Sequence, residues 1–495
     1  MTARSDELRE IIETTVPANQ EDIAAQQHQT KHIAHWDRVA RTYPAGGRLS
    51  GKYHSRVEEV YRLVVPGGLR VIELGCGRGD LLAALRPSHG VGIDFSPEML
   101  RAAHESHPEL ELVEADAHDL RQIEGPFDVI VLSDLVNDLW DVQTAFQEAH
   151  RLCHPRTRIV MNLYSHLWEP LLKGAARLGL ATPRLEQSWL TLDDVHGLLA
   201  LSGFDVVKQW QEVLLPLPIP GLETLADKYL AKVWPFRLCA LANFVVARPA
   251  APIRRGRPRV SVIVPARNEE GNIEEIFRRV PEMGSGTELI FVEGHSRDGT
   301  FEAIERGIAA HPEKDCKAFQ QTGRGKGDAV RLGFKEASGD ILMILDADLT
   351  VRPEDLPRFV EALESGVGEF INGVRLVYPM QDEAMRFFNL LGNKFFSLAF
   401  SWLLAQPVKD TLCGTKVLWK EDYEEIARNR AYFGDFDPFG DFDLLFGAAK
   451  LGLKIVDMPV RYQARTYGTT NIDRWRHGVL LLRMVVFAAR RIKFV

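Results

Sequence analysis

Asp346 and Asp348 flank Ala347 in ILDADLT (344–350), at the end of a continuous apolar run. Carboxylates two residues apart at a strand terminus do not pack as core. They suit a hard divalent cation that itself binds a diphosphate. Elsewhere VIELGCGRGD (71–80) sets Gly75, Gly77 and Gly79 between an apolar run and a helical pattern, with Glu73 at the end of the run. Glycines there let the backbone approach a ligand, and a following helix offers free N–H groups. A dinucleotide fingerprint needs GxGxxG, but Asp80 stands where its last glycine belongs. Asp94 ends the next apolar run, where a carboxylate can accept hydrogen bonds from both hydroxyls of a ribose. Asp116 follows the third, within reach of an adenine amino group.

More such turns lie downstream. VSVIVPARNEEGNI (260–273) and LIFVEGHSRDGT (289–300) each read as strand, polar turn and helix start. RGKGDAVRLGF (324–334) puts Gly325 and Gly327 around Lys326, just before an apolar helix.

These residues need elements to hold them. Strands are expected at 69–74, 90–94, 110–114, 127–132 and 158–163, most followed by amphipathic stretches, which is the pattern of βα units and a parallel sheet. Segments 204–210 and 243–249 add two strands able to pair as an edge hairpin. The second half offers strands at 260–265, 288–293, 340–346 and 369–374. A chain of 495 residues exceeds what one core usually serves, so two domains are expected. The reading is a polar lead-in over 1–30 that frays or makes a short helix, and a first domain over 31–248. A Pro/Arg-rich linker over 249–258 and a second domain over 259–495 follow.

Composition narrows the class. Hydrophobic residues at 45% and charged residues at 26% describe a globular chain, and a net charge of −8 argues against a nucleic-acid partner. Cys76, Cys153, Cys239, Cys316 and Cys413 are scattered without a CxxC pair, which fits a reducing cytosol. The N-terminus is acidic and polar, not a secretory signal, and no run of eighteen apolar residues predicts a transmembrane segment.

The first half, with its E-x-G-x-G-x-G loop and the aspartates in register with it, resembles the class I S-adenosylmethionine-dependent methyltransferases. The resemblance implies a Rossmann-like fold in which Glu73, Gly75, Gly77, Gly79, Asp94 and Asp116 bind S-adenosyl-L-methionine. Ser133, Asp134, Asn137 and Asp138, with Tyr164 and His166, are candidates for the acceptor side. Methyl transfer from a sulfonium is an in-line displacement, so the protein supplies alignment and desolvation, and a base where the acceptor must lose a proton.

The second half resembles the inverting GT-A glycosyltransferases of family 2, and within them the polyprenyl-phosphate sugar synthases of the dolichyl-phosphate mannose type. NGVR (372–375), DTLCGTKVLWK (410–420) and RTYGTTN (465–471) join the motifs above in carrying it. It implies a GT-A (nucleotide-diphospho-sugar transferase) fold with Pro265, Arg267 and Glu269 around the nucleoside and Asp346, Ala347 and Asp348 holding ribose and metal (Mg²⁺ or Mn²⁺). Arg375 and Arg465 would neutralise diphosphate or acceptor phosphate, and Lys326 would assist at the leaving diphosphate. Asp441, in FGDFDLL (439–445), aligns with the family's general base, with Asp443 the weaker candidate and a helix-cap role the alternative for either. Where the family usually carries two aspartates after the second strand, the second facing the base, Glu293 and Gly294 stand here. Asn471 replaces an expected lysine.

The expected whole is an α/β, two-domain, bifunctional cytoplasmic enzyme that moves a sugar from a nucleotide-diphospho-sugar to a polyprenyl-phosphate or glycan acceptor and also transfers a methyl group. Glycolipid or cell-surface polysaccharide synthesis is the expected setting. The alternatives are a soluble transferase with a small hydroxyl acceptor, and a glycosyltransferase whose methyltransferase half only binds. FFSLAFSWLLA (395–405) and GVLLLRMVVFAARRIKF (478–494) are unusually apolar and edged by Lys394, Lys409, Arg490, Arg491 and Lys493. They read either as core helices or as peripheral contacts with the inner face of the cell membrane.

Overall fold

A computed structural model describes residues 20–42, 50–177, 185, 187–216, 219, 221–250, 256–375, 387–430, 440–463, 465, 467 and 474–494. The chain forms two units, residues 1–206 with 210–249 and residues 207–209 with 250–495.

The first unit holds a seven-stranded sheet of β1 (Arg70–Leu74), β2 (His89–Asp94), β3 (Glu111–Glu114), β4 (Phe127–Ser133), β5 (Cys153–Tyr164), β6 (Phe204–Glu212) and β7 (Ala242–Pro249). Their order is β3-β2-β1-β4-β5-β7-β6. β1 pairs in parallel with β2 and β4, β2 with β3 and β4 with β5, while β7 runs antiparallel to β5. The inner strands are apolar runs because helices cover both faces; Val71, Ile72, Ile130, Val131, Leu132 and Ile159 have no measurable exposure. Three of the covering helices start at side-chain caps. Ser96 accepts from Met99 N with Pro97 at the first helical position, Asp141 accepts from Thr144 N, and Thr191 and Asp194 form a capping box. Within the expected polar lead-in the structure starts a long helix, Gln20–Thr42, held by polar contacts described below.

The second unit carries β8 (Val260–Ala266), β9 (Thr287–Glu293), β10 (Asp315–Gln320), β11 (Ile341–Ile344), β12 (Phe370–Val374), β13 (Lys416–Trp419) and β14 (Ile455–Pro459), in the order β10-β9-β8-β11-β13-β12-β14. The first four are parallel neighbours; β13 is antiparallel to both β11 and β12. Apolar clusters built on Ile263, Ile290, Phe334 and Phe442, and on Val262, Phe277, Phe291 and Phe359, fill the unit.

Three of these strands escape the sequence reading. β10 is a polar edge strand with every residue at least partly exposed, so it has no apolar run. β13 is four residues long and includes Lys416, whose side chain is fully buried and donates to Cys413 O. β14 is an edge strand closed by Pro459.

In both sheets the chain reverses its direction of progress, between β1 and β4 and between β8 and β11. A crevice outside the carboxyl ends of the strands at such a point is where open α/β sheets bind ligands.

Candidate active sites

In the first unit, the loop after β1 carries Gly75, Gly77 and Gly79 at φ of 70°, 53° and 74°. A Cβ on Gly77 would meet nothing within 4 Å, so the glycine answers to its backbone and to open space above it. Gly77 N donates to Asp94 Oδ2 at 2.9 Å, and Ser96 N donates to Asp94 Oδ1 at 2.9 Å. Burial pushes the Asp94 carboxyl up to about 6 despite these bonds. Glu73 is buried at the end of β1, its Oε2 without a partner among the described residues, and burial raises its carboxyl well above the usual range.

Asp116 is covered from two sides. Gln29 Nε2, on the Gln20–Thr42 helix, donates to Oδ2 at 2.7 Å, and His118 N donates to Oδ1 at 2.9 Å. His118 Nε2 accepts from Asp141 N at 3.1 Å, so its Nδ1 carries the proton that faces Asp116 Oδ1. Burial alone would raise the Asp116 carboxyl, but His118 outweighs it and the pKa lies below the ordinary value. The same helix reaches the neighbouring loops. Asp37 Oδ1 accepts from Ser96 Oγ at 2.6 Å, and Arg78 donates to Ala40 O at 2.7 Å. Nothing in the sequence pattern marked Gln29 as a partner of Asp116.

On the expected acceptor side the candidates separate. Asp134, at a left-handed φ of 56°, accepts on Oδ1 from Tyr53 Oη at 2.6 Å and from Asn162 Nδ2 at 2.5 Å. Ser133 closes β4 beside it. Asn137 is structural: it bridges Ser188 O and Tyr164 N at 2.8 and 3.0 Å. Asp138 accepts from Gln187 at 2.6 Å, Tyr164 is buried, and His166 is exposed near Glu169.

In the second unit, β8 and β11 bring the charged groups together. Leu345 N donates to Ile263 O at 3.0 Å, which extends the pairing to the residue before Asp346. Lys326, the first residue of the helix Lys326–Glu336, lies 2.5 Å from Asp346 Oδ1. Burial opposes ionisation of Asp346, but Lys326, aided by Lys416 and Arg375, holds its carboxyl below the usual range. A Cβ on Gly414 would lie 2.1 Å from Asp346 Oδ2 and 2.3 Å from Lys326 Nζ, so that backbone closes on the pair only because it is glycine. Ala347 is buried between the two aspartates.

Asp348 Oδ1 accepts from Thr350 N and Oγ1 at 3.1 and 2.7 Å, and Oδ2 from Arg465 at 2.5 Å. The Arg465 guanidinium also lies 3.6 Å from Glu269 Oε1. Glu269 is buried after β8, accepts from Asn272 at 2.7 Å, and is pushed up to about 7 by burial. Pro265 is part-buried in β8 and Arg267 is exposed just after it.

Other expected residues have partners of their own around this group. Arg375 forks onto Asp410, Nε to Oδ2 at 2.7 Å and Nη2 to Oδ1 at 2.9 Å, which engages two of its five N–H donors and fixes the plane of the guanidinium. Glu293 is buried and turned back into its own turn, accepting from Ser296 N. Asp441 is the first residue of the helix Asp441–Lys450. A Cβ on Gly440 would lie 2.6 Å from Gly327 Cα, so this helix starts against the start of Lys326–Glu336. Asp443 is bound to Arg430 at 2.7 Å. Phe439, Thr466 and 468–471 lie outside the described residues.

No three Asp, Glu, His or Cys side chains converge as a metal cluster among the described residues. Two hard carboxylates nonetheless suffice for an ion that takes its other ligands from a diphosphate and water. Asp346 and Asp348 fit that description, and Lys326 and Arg465 show that both attract a cation.

Comparison with known proteins matches residues 261–423 to the family described as glycosyl transferase family 2, and residues 71–156 to a methyltransferase domain. A dolichol-phosphate mannosyltransferase of Pyrococcus furiosus is 30% identical over 248 residues, 48% of this chain and 67% of that protein. One from Saccharomyces cerevisiae is 41% identical over 109 residues, 21% of this chain and 40% of its own length. An undecaprenyl-phosphate 4-deoxy-4-formamido-L-arabinose transferase of Pseudomonas aeruginosa is 31% identical over 131 residues, 26% of this chain and 38% of its own. The chain thus spans two fifths or less of the last two.

Proposed function

Because the chain belongs to glycosyl transferase family 2 and carries a methyltransferase domain, we propose that it is a bifunctional enzyme that builds a glycolipid or surface glycan. One unit would move a sugar, with inversion, from a nucleotide-diphospho-sugar to a polyprenyl phosphate or glycan. The other would transfer a methyl group from S-adenosyl-L-methionine. The observation that carries the reading is the charged group at the ends of β8 and β11, where Asp346 and Asp348 face Lys326, Arg465 and Glu269.

Asp346 and Asp348 would hold Mg²⁺ or Mn²⁺, which when bound neutralises charge on the departing diphosphate. Lys326 places an ammonium beside Asp346, where the leaving group's charge grows, and Arg465 brings a guanidinium to the same edge. Pro265, Arg267 and Glu269 line the approach to the nucleoside. With a hydroxyl acceptor, Asp441 would take its proton; an anionic lipid phosphate needs no base. Arg375, committed to Asp410, supports the fold of this edge in our reading more than it binds phosphate.

In the first unit, the open space over Gly77 and the Glu73 Oε2, without a partner among the described residues, would receive the methyl donor, with Asp94 on its ribose. The Asp116 carboxylate would meet adenine in place of Gln29. Residues 249–258 would serve as the linker.

The named relatives act on dolichol and undecaprenyl phosphates, which favours a lipid acceptor. No helix of the described residues is long and apolar enough to cross a membrane. Two helices nonetheless show apolar stripes to the outside, Phe395 and Leu398 on Phe387–Leu404 and Val479, Leu482 and Val486 on Arg474–Ala488. Their spacing of three and four residues is that of one helix face, and Arg483, Arg490 and Arg491 are exposed nearby. Such helices suit a peripheral place at the cytoplasmic face of the membrane, among anionic headgroups.

The test is mass spectrometry of a cell glycolipid fraction incubated with the protein, Mn²⁺ and a panel of nucleotide sugars. A new sugar–lipid mass supports the reading. A product found only on soluble hydroxyl compounds would favour a small acceptor instead.

A further inference from the structure

Resting on the nucleotide-sugar reading above, we propose that Gln321 reads the base of the donor, and that it favours uracil over guanine. Gln321 follows β10, and its N–H donates to Glu293 O at 3.0 Å, which continues the pairing of β9 and β10 past their ends. The side chain is 4% exposed, and its Oε1 is buried with no hydrogen-bond partner among the described residues. A buried amide oxygen left unpaired is costly and uncommon, so the atom calls for a donor that arrives from elsewhere.

Its surroundings point to the carboxyl edge of the sheet. A Cβ on Gly294 would lie 3.4 Å from Gln321 Nε2 and 3.4 Å from Arg267 Cβ, so the bare backbone of the turn after β9 is the neighbour of the amide on that side. His295 Nε2 meets Gly323 O at 3.1 Å and ties the turn after β9 to the one after β10. β10, β9, β8 and β11 are successive neighbours, so three strand spacings, about 14 Å, separate the Gln321 strand from that of the aspartates. A nucleoside diphosphate whose diphosphate lies at Asp346 and Asp348 and which runs along this edge brings its base over Gly294 and Gln321.

The amide itself is neutral, and Arg267 is the charged residue that shares its contact with position 294. Glu293, the adjacent carboxylate, is spent on Ser296 N, and Gly294 adds none. An amide offers one acceptor beside one donor. The imide edge of uracil, an N–H between two carbonyls, pairs with it in two bonds. Guanine presents a carbonyl, an N–H and an amine. The amide satisfies the first two and leaves the amine unpaired, where a carboxylate would accept from both N–H groups.

Isothermal titration of the full chain with UDP and with GDP, each with Mn²⁺, tests the assignment. UDP is expected to bind about tenfold or more tightly than GDP. Gln321→Glu should weaken UDP about tenfold while leaving GDP unchanged or tighter, and Gln321→Leu should weaken UDP with no gain for GDP. Far-UV circular dichroism and melting confirm that each variant folds, and the isosteric Glu variant guards against a packing defect in the Leu one. GDP binding as tightly as UDP to the unaltered chain, or UDP affinity unchanged in both variants, overturns the assignment to Gln321 alone. If neither nucleotide binds, the donor reading itself fails and takes this one with it.

Discussion

Asp348 and Arg465, 117 residues apart in sequence, stand 2.5 Å apart at the carboxyl end of β11, with Glu269 on the far side of the guanidinium. A protein cation thus holds the carboxylate that is proposed to hold a metal ion, and the two compete for Asp348 Oδ2. Arg465→Gln should therefore raise the affinity for Mn²⁺ alone several-fold, read by electron paramagnetic resonance of the free ion. It should also lower sugar transfer by about 10²-fold, because a charge at the leaving diphosphate is gone. Weaker Mn²⁺ binding in this variant would show that the arginine builds the site and does not compete for it.

Gly77→Val separates the two activities. The left-handed φ of 53° costs a β-branched residue about 1–2 kcal/mol, and no neighbouring atom clashes, so the unit should still fold. The valine would fill the space the methyl donor needs. Titration calorimetry should show no binding of S-adenosylhomocysteine, with sugar transfer unchanged. Loss of sugar transfer would mean that the units are coupled.

Glu288 sets an acid limit on the second unit. It is fully buried in β9, where burial would raise its pKa, yet Lys317, Ser261 and Ser338 bind it and hold it at about 2. Its pKa is lower folded than unfolded. The stability it contributes is therefore present above pH 4.5 and fades as pH falls toward 2. From the size of the shift this is about 3 kcal/mol. In urea unfolding, Glu288→Gln should be less stable by about that amount at pH 7, with the difference shrinking by pH 3. A difference that stays constant across this range would contradict the assignment.

Sedimentation with liposomes checks the exposed stripes on Phe387–Leu404 and Arg474–Ala488. Binding to anionic vesicles, weaker on neutral ones and at raised salt, is expected, and Leu398→Glu with Leu482→Glu should reduce it about tenfold or more. A protein that stays in the supernatant with every lipid would favour a soluble acceptor.

Much of the fold was legible because buried parallel strands are written as apolar runs: VIEL, FDVIVL, VSVIV and LIFV each become a central strand. Polar or very short strands carry no such mark, so DCKAFQ and KVLW passed unseen, the second because only three apolar residues follow the lysine that starts it. The glycine loop and the two aspartates could be placed at strand ends by position alone. What sequence cannot display is which distant group meets them. Arg375 reads as a phosphate ligand, and nothing in its motif announces that Asp410 sits in its fork. Gln321 stands in no motif, and the burial of its oxygen without a partner among the described residues shows only once β9 and β10 are side by side. Residues 20–30 of the Gln20–Thr42 helix fell in the expected lead-in because they are polar, yet polar contacts are what attach this helix, through Gln29, Asp37 and the Ala40 carbonyl.

The central claim, sugar transfer at Asp348, is tested most directly by following a radiolabelled sugar from its nucleotide into the organic phase with polyprenyl phosphate and Mn²⁺. The unaltered chain should produce a labelled lipid, and Asp348→Ala should lose at least about 10²-fold while still binding S-adenosylhomocysteine. Label transferred equally well by Asp348→Ala, or by the unaltered chain in excess chelator, would contradict the account.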